Sequence, residues 1–263
     1  MGGFDLFAPG AGHVAILLAL RVGGLLLVAP VFSARTVPAT LRTVLLVVLA
    51  VLLAPVAWVG VRAAGDPGLV AVTPATFLTE TLIGLALGLG AALLVGAVET
   101  AGDLVSTTIG LSGASLVDPL NGAASSLLTQ FSQMFAVTVL LAVDGHLVML
   151  DALAASLREL PVGAAVDVRA GLAALVAHGS TLFVLGLRFA APVIAAAMIG
   201  NVALAVLTRA APQLNVFSVA FPLQIALGLA AFVSALAFVA TWMVGWGGEY
   251  AGVVERVVQA MLP

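Results

Sequence analysis

Two arginines stand inside otherwise uncharged runs: Arg21 in the first apolar segment, and Arg188 between the runs 170–187 and 189–208. A charge near the bilayer centre costs about 2.5–3.5 kcal/mol or more, so each guanidinium must face protein or water. Glu80 and Glu99, which bound the uncharged run 81–98, are the carboxylates available to them. The chemistry on offer is an ion pair, or a snorkelling arginine, that fixes the register of packed helices. A proton or substrate relay is the competing reading; it needs several acids at membrane depth, and here the acids cluster at segment ends. His13, His146 and His178 lie far apart and lack the HExxH spacing that puts two imidazoles on one helix face, so no metal centre is expected. The chain has no cysteine, which removes disulfides, thiol catalysis and Cys-based metal sites.

Small residues at helical spacing form a second set. Gly84 and Gly88 make a G-x-x-x-G followed by Gly90, and such positions let helices approach closely where lipid supplies no hydrophobic drive. The consequence is tight packing, within the chain or between subunits. The stretch "RAAPQLNVF" combines Pro212, which denies a helix its backbone donor, with Arg209, Gln213 and Asn215, polar groups in need of partners. It reads as a structured turn. Residues 110–126, "GLSGASLVDPLNGAASS", are too rich in Gly, Ser, Asn and Pro for a good helix, and Asp118 is their only charge. Ser112 there lies in a "GLSG" that resembles the G-x-S-G of rhomboid intramembrane proteases, in which a histidine on another helix activates the serine. Nothing beside it signals a helix start or an oxyanion pocket, which argues against that enzyme.

These residues need long apolar elements to position them, and the composition supplies little else. Of 263 residues 63% are hydrophobic and 8% charged, whereas soluble domains run near 25% charged. All nine basic residues are arginine, and a net charge of -3 offers nucleic acid no basic surface. A helix needs about 20 apolar residues to cross the hydrocarbon. Six such segments are expected, at about 14–32, 43–61, 81–98, 127–143, 171–208 and 222–247, within one membrane domain spanning 1–263. The last follows an irregular stretch at Pro212 and Pro222. The runs lack the apolar–polar alternation of a membrane barrel, so the fold class is all-α integral membrane protein.

Leu147, Leu150, Leu153, Leu157 and Leu160 recur at spacings of three and four ahead of Pro161. They predict an amphipathic helix lying at the membrane interface or packed on its own protein, and the tail 249–262 is a shorter version. The start "MGGFDLFAPGAGH" has no positive n-region and predicts no cleaved signal peptide. Arginines fall on both sides of any assumed orientation, so no positive-inside bias emerges.

Taken in order, "RVGG" at Arg21, "APVF" at Ala29, Pro38, Arg42, Glu80 with Gly84 and Gly88, "VDP" at 117–119, "GH" at Gly145, Ser156, Pro161 and "RAAPQLNVF" resemble the flagellar biosynthetic protein FliR family. The resemblance runs from about Arg21 to Phe221. It implies a non-enzymatic, pore-forming subunit of the flagellar type III secretion export gate, in the bacterial inner membrane at the flagellar basal body, with a close counterpart in virulence injectisomes. It implies FliP-like and FliQ-like partners in a closed helical ring, FlhB-like and FlhA-like proteins nearby, exported unfolded flagellar proteins as cargo, and no cofactor. It also implies hydrophobic segments arranged as hairpins, many displaced from the bilayer. By the same resemblance Gly110, Leu111, Ser112, Gly113, Ala114, Ser115, Leu116, Val117, Asp118 and Pro119 form a channel plug. A plug of small, nearly uncharged residues excludes ions yet yields to a passing chain. The family often has bulky aromatics where this sequence has Gly113 and Leu116. The alternative function is a secondary transporter for a small solute, whose broken Gly-rich segment at the midplane would be 110–126. No matching broken segment in the other half and no convergent set of acids supports it.

Overall fold

In the computed structural model, residues 8–34, 37–65, 70–110, 127–211 and 216–262 are described, with side chains for all of these except 216–219 and 221. They form eight helices: α1 (Ala11–Val28), α2 (Ala39–Ala64), α3 (Pro74–Thr108), α4 (Leu127–Ala142), α5 (Gly145–Glu159), α6 (Val168–Ala210), α7 (Val216–Val244) and α8 (Trp246–Met261). No strand occurs among the described residues. Five helices are long and apolar enough to cross a bilayer, or six if α4 and α5 count as one broken span. The chain is an all-α integral membrane protein.

Charges bound the apolar runs but do not end the helices. The third helix has 35 residues and reaches well beyond the expected 81–98, so Glu80, Glu99 and Asp103 all lie inside it. Its start is set by Pro74 at the first helical position and by a reciprocal cap: Thr76 N donates to Thr73 Oγ1 at 3.1 Å, and Thr73 N donates to Thr76 Oγ1 at 2.8 Å. Its end is set by Gly110, whose φ of 81° suits the residue that closes a helix. The first helix stops at Val28, short of the expected 32, because Ala29 precedes Pro30 and takes ψ 130° instead of a helical value. Pro222 was expected in an irregular stretch ahead of the last span, yet it falls inside α7. As the seventh residue of α7, past the first turn, it removes the backbone bond to the carbonyl four residues earlier, and the helix continues through it. The same segment was expected to run to 247, but the chain breaks at Gly245 and α8 begins.

The helices divide into two compact units. The first holds residues 1–93, 144–179 and 246–263: α1, α2, the first part of α3, α5, the beginning of α6, and α8. Here α1 packs on α2, and α5 packs on both α2 and α8. The amphipathic reading of α5 is realised by Met149, Leu153, Ser156 and Leu157, which are buried, together with Leu160; Leu147, expected on that stripe, is 52% exposed. In α8 the stripe Trp246, Tyr250, Val253, Val257 and Met261 is buried, while Glu249, Glu255 and Arg256 face outward. Both amphipathic helices thus cover their own protein.

The second unit holds residues 94–143 and 180–245: the end of α3, α4, most of α6, and α7. Small residues set its spacing. A Cβ on Gly102 would overlap Ser132 of α4, one on Gly186 would touch Thr100 at 3.0 Å, and one on Gly228 would overlap Ile109. Aromatic edges fill the rest: Phe189 meets Phe238 at 6.0 Å and Trp242 at 5.1 Å, and Phe131 meets Phe232 at 6.1 Å, all edge-on.

Candidate functional site

The first unit contains the one ion pair among the described residues. Arg21 on α1 donates from Nε to Glu80 Oε2 of α3 at 2.7 Å, with the side chains 0% and 2% exposed. The guanidinium also donates through Nη1 to the Leu160 carbonyl at 2.9 Å, to the Ser156 carbonyl at 3.2 Å and to Ser156 Oγ at 3.4 Å. Ser156 Oγ in turn donates to the Leu153 carbonyl at 2.8 Å. The second carboxylate oxygen, Glu80 Oε1, accepts from the backbone N–H of Gly163 at 2.8 Å. That glycine has φ 81°, a left-handed value costly for other residues. The pair therefore ties α1 and α3 to the last turn of α5 and the turn beyond it. The positive head sits at the carbonyl end of α5, as a helix C-terminus favours.

Close helix approach makes this geometry reachable. A Cβ on Gly84 would overlap the Arg21 carbonyl, one on Gly24 would lie 2.5 Å from the Thr81 carbonyl oxygen, and one on Gly88 would lie 2.8 Å from the Leu25 carbonyl oxygen. With hydrogens in these places, α1 and α3 touch backbone to backbone. Gly90 lies on a different face: a Cβ there would meet Val253 and Tyr250 of α8 at 3.3 and 3.7 Å. Tyr250 is fully buried and donates to the Leu87 carbonyl at 3.1 Å; it stacks on Trp246 with centroids 4.9 Å apart. Burial pushes its phenol far above its ordinary pKa, so it stays a neutral donor.

The remaining sequence-predicted residues are not gathered at this centre. Arg188 is exposed on α6 and Arg209 is exposed in the last turn of α6. Pro212 and Asn215, and the expected plug from Leu111 to Pro119, lie outside the described residues; of the plug only Gly110 is described. Glu99, the other carboxylate considered for Arg21, is half-buried and has no ion pair among the described residues. Among those residues no group of three or more His, Asp or Glu is placed to hold a metal ion. Sequence reasoning missed Gly163 and the carbonyls of Ser156 and Leu160. Backbone groups carry no residue type, and only the Pro161-to-Gly163 turn hinted at them. Tyr250 was legible in principle, as the one tyrosine of the chain on the apolar stripe of the tail.

Long apolar helices, backbone contacts at glycine and one buried charge pair used for cross-linking define a structural integral membrane protein. Comparison with known sequences narrows that class. The pattern described as "Bacterial export proteins, family 1" matches residues 13–246, and the chain belongs to that family. It is 32% identical to the flagellar biosynthetic protein FliR of Pectobacterium carotovorum subsp. carotovorum over 210 residues, covering 80% of this chain and 79% of that one. It is 31% identical to the protein of the same name in Escherichia coli (strain K12) over 221 residues, 84% and 83% of the two chains. With its counterpart in Caulobacter vibrioides (strain ATCC 19089 / CIP 103742 / CB 15) it is 30% identical over 228 residues, 87% and 90% of the two.

Proposed function

We propose that the chain is a structural, pore-forming subunit of the bacterial flagellar type III protein export gate and assists translocation of unfolded flagellar proteins across the inner membrane. The carrying observation is similarity over most of the chain to proteins named flagellar biosynthetic protein FliR, joined to an all-helical apolar fold. On this reading it works in the flagellar basal body with FliP-like and FliQ-like subunits and near FlhB-like and FlhA-like proteins. It catalyses no reaction and needs no cofactor. The segment 110–126 serves as the channel plug. Deleting the gene should abolish secretion of filament protein and motility, with both restored by a plasmid copy. An affinity-tagged copy should co-purify with the FliP-like and FliQ-like chains of the same organism. Motile, secreting deletion cells would refute the proposal.

A further inference from the structure

We propose that one face of α2 is turned to lipid, which makes this helix an outer edge of any assembly the chain enters and sets Arg62 at the level of the phospholipid headgroups. Leu41, Val44, Val48, Leu52, Pro55 and Val59 recur at spacings of three and four and are all exposed. On the opposite side Leu49, Ala54, Ala57 and Val61 are buried, and α1 and α5 pack on this helix. The exposed strip is uninterrupted. No charged side chain occurs from Thr43 to Val61, and Arg62, three residues beyond Val59, ends the row and is itself exposed.

Length and chemistry select lipid as the occupant. Water is excluded because a continuous apolar strip of this size is costly to hydrate. The 19 residues from Thr43 to Val61 make roughly 28 Å of helix, close to the hydrocarbon thickness of about 30 Å. Where helices of this protein meet, glycine brings them together: Gly84 and Gly88 against α1, Gly102 against α4, and Gly60 of α2 itself against the Leu157 carbonyl. The strip holds no glycine, alanine or serine, and its larger side chains bar a second helix from so close an approach. Acyl chains adapt to such a surface. At the end of the row the Arg62 guanidinium lies 5.7 Å from the centroid of the Trp58 ring. An arginine beside an indole, closing a run of bilayer length, suits the interface: the ring lies at headgroup level and the guanidinium reaches phosphate. Arg42 at the other end is turned to its own chain, donating through Nη2 to the Ser33 and Ala34 carbonyls at 3.0 and 2.6 Å. A membrane around the chain is the sole requirement, so this lipid face does not depend on the proposed function.

The chain has no cysteine, so one introduced cysteine carrying a spin label reports a single position of it. Val44→Cys, Leu52→Cys, Val59→Cys and Ala63→Cys are labelled in the full chain, purified with whatever subunits accompany it and returned to phosphatidylethanolamine–phosphatidylglycerol vesicles. The unsubstituted preparation, treated alike, supplies the background. Collision with oxygen relative to a water-soluble nickel chelate should peak at Leu52, midway between Arg42 and Arg62, and fall roughly threefold or more toward Val44 and Val59 as the headgroups are neared. Ala63, exposed just beyond Arg62, should be reached readily by the chelate. A label at Leu52 that neither reagent reaches overturns the proposal, because protein then covers the strip. One that the chelate reaches overturns it too, because the face is then wet. Leu52→Trp is the second variant: on a lipid face the larger side chain should leave expression and assembly at the wild-type level. It should also add fluorescence that phospholipid brominated deep in its acyl chains quenches. Loss of assembly in Leu52→Trp, or added fluorescence that brominated lipid leaves unquenched, would place a protein surface there instead.

Discussion

Arg21 and Glu80, 59 residues apart in sequence, meet through a 2.7 Å contact from which solvent is excluded. The contact acts on three elements at once, because Arg21 Nη1 holds the last turn of α5 and Glu80 Oε1 holds the Gly163 turn. Removing either member leaves an unpaired charge in the interior, a loss of about 3–5 kcal/mol. Arg21→Ala and Glu80→Ala should each unfold the chain at markedly lower temperature in mild detergent. Replacing both with Met should cost less than either single change, since only backbone groups are then left without partners. A double variant as unstable as the sum of the two singles would show that the two side chains are not energetically coupled.

The glycines at the α1–α3 crossing lead to a finer prediction. Gly84→Ala adds one methyl against the Arg21 carbonyl, and helix backbones do not yield as a flexible side-chain end does. It should destabilise by about 1–3 kcal/mol, and Gly84→Leu or Gly88→Leu should also block assembly and motility. Gly248→Ala is the control: nothing lies within 4 Å of that site, and the helix gains roughly 0.5–1 kcal/mol from alanine. Equal effects at 84 and 248, read by thermal unfolding, would sink the packing argument.

Much of this arrangement was legible before the structure. Spacing alone marked Gly84 and Gly88 as close-contact positions, and the cost of a buried charge demanded a partner for Arg21. Helix ends were less legible. Hydropathy responds to charge, so Glu80 and Glu99 were read as limits although α3 passes through both; a helix ends on capping chemistry such as Thr73 and Gly110 instead. Leu147 lies about 120° round the helical wheel from Leu153, and only Leu153 is buried. Spacings of three and four join neighbouring leucines pairwise, but over six residues the row drifts off the buried face.

Tyr250 offers a spectroscopic handle because the chain has a single tyrosine. A phenol ordinarily titrates near pH 10, and burial raises this one well above that value. Between the ordinary and the raised value the unfolded chain ionises and the folded chain does not, so folding stability falls as pH rises through that window. Absorbance at the phenolate band should stay flat past the ordinary range in the folded protein and rise near it after denaturation. Titration of the folded protein in the ordinary range would contradict the buried bond to Leu87. Tyr250→Phe should cost about 0.5–1.5 kcal/mol.

Gly110, in the left-handed region at φ 81°, ends α3 and hands the chain to residues with one charge and many small side chains. If 110–126 is the channel plug, its contribution is steric exclusion together with an apolar constriction that disfavours water. Deleting 111–117 keeps Asp118 and Pro119, residue types that favour turns, and export should continue while the membrane becomes permeable. Gly113→Phe acts the other way: added bulk should tighten the seal, lowering leakage while slowing secretion of filament protein. Uptake of a normally excluded small dye and the rate of filament-protein secretion separate these effects, measured in cells whose membranes contain the assembled complex. Unchanged permeability on deletion would assign closure of the channel to another subunit.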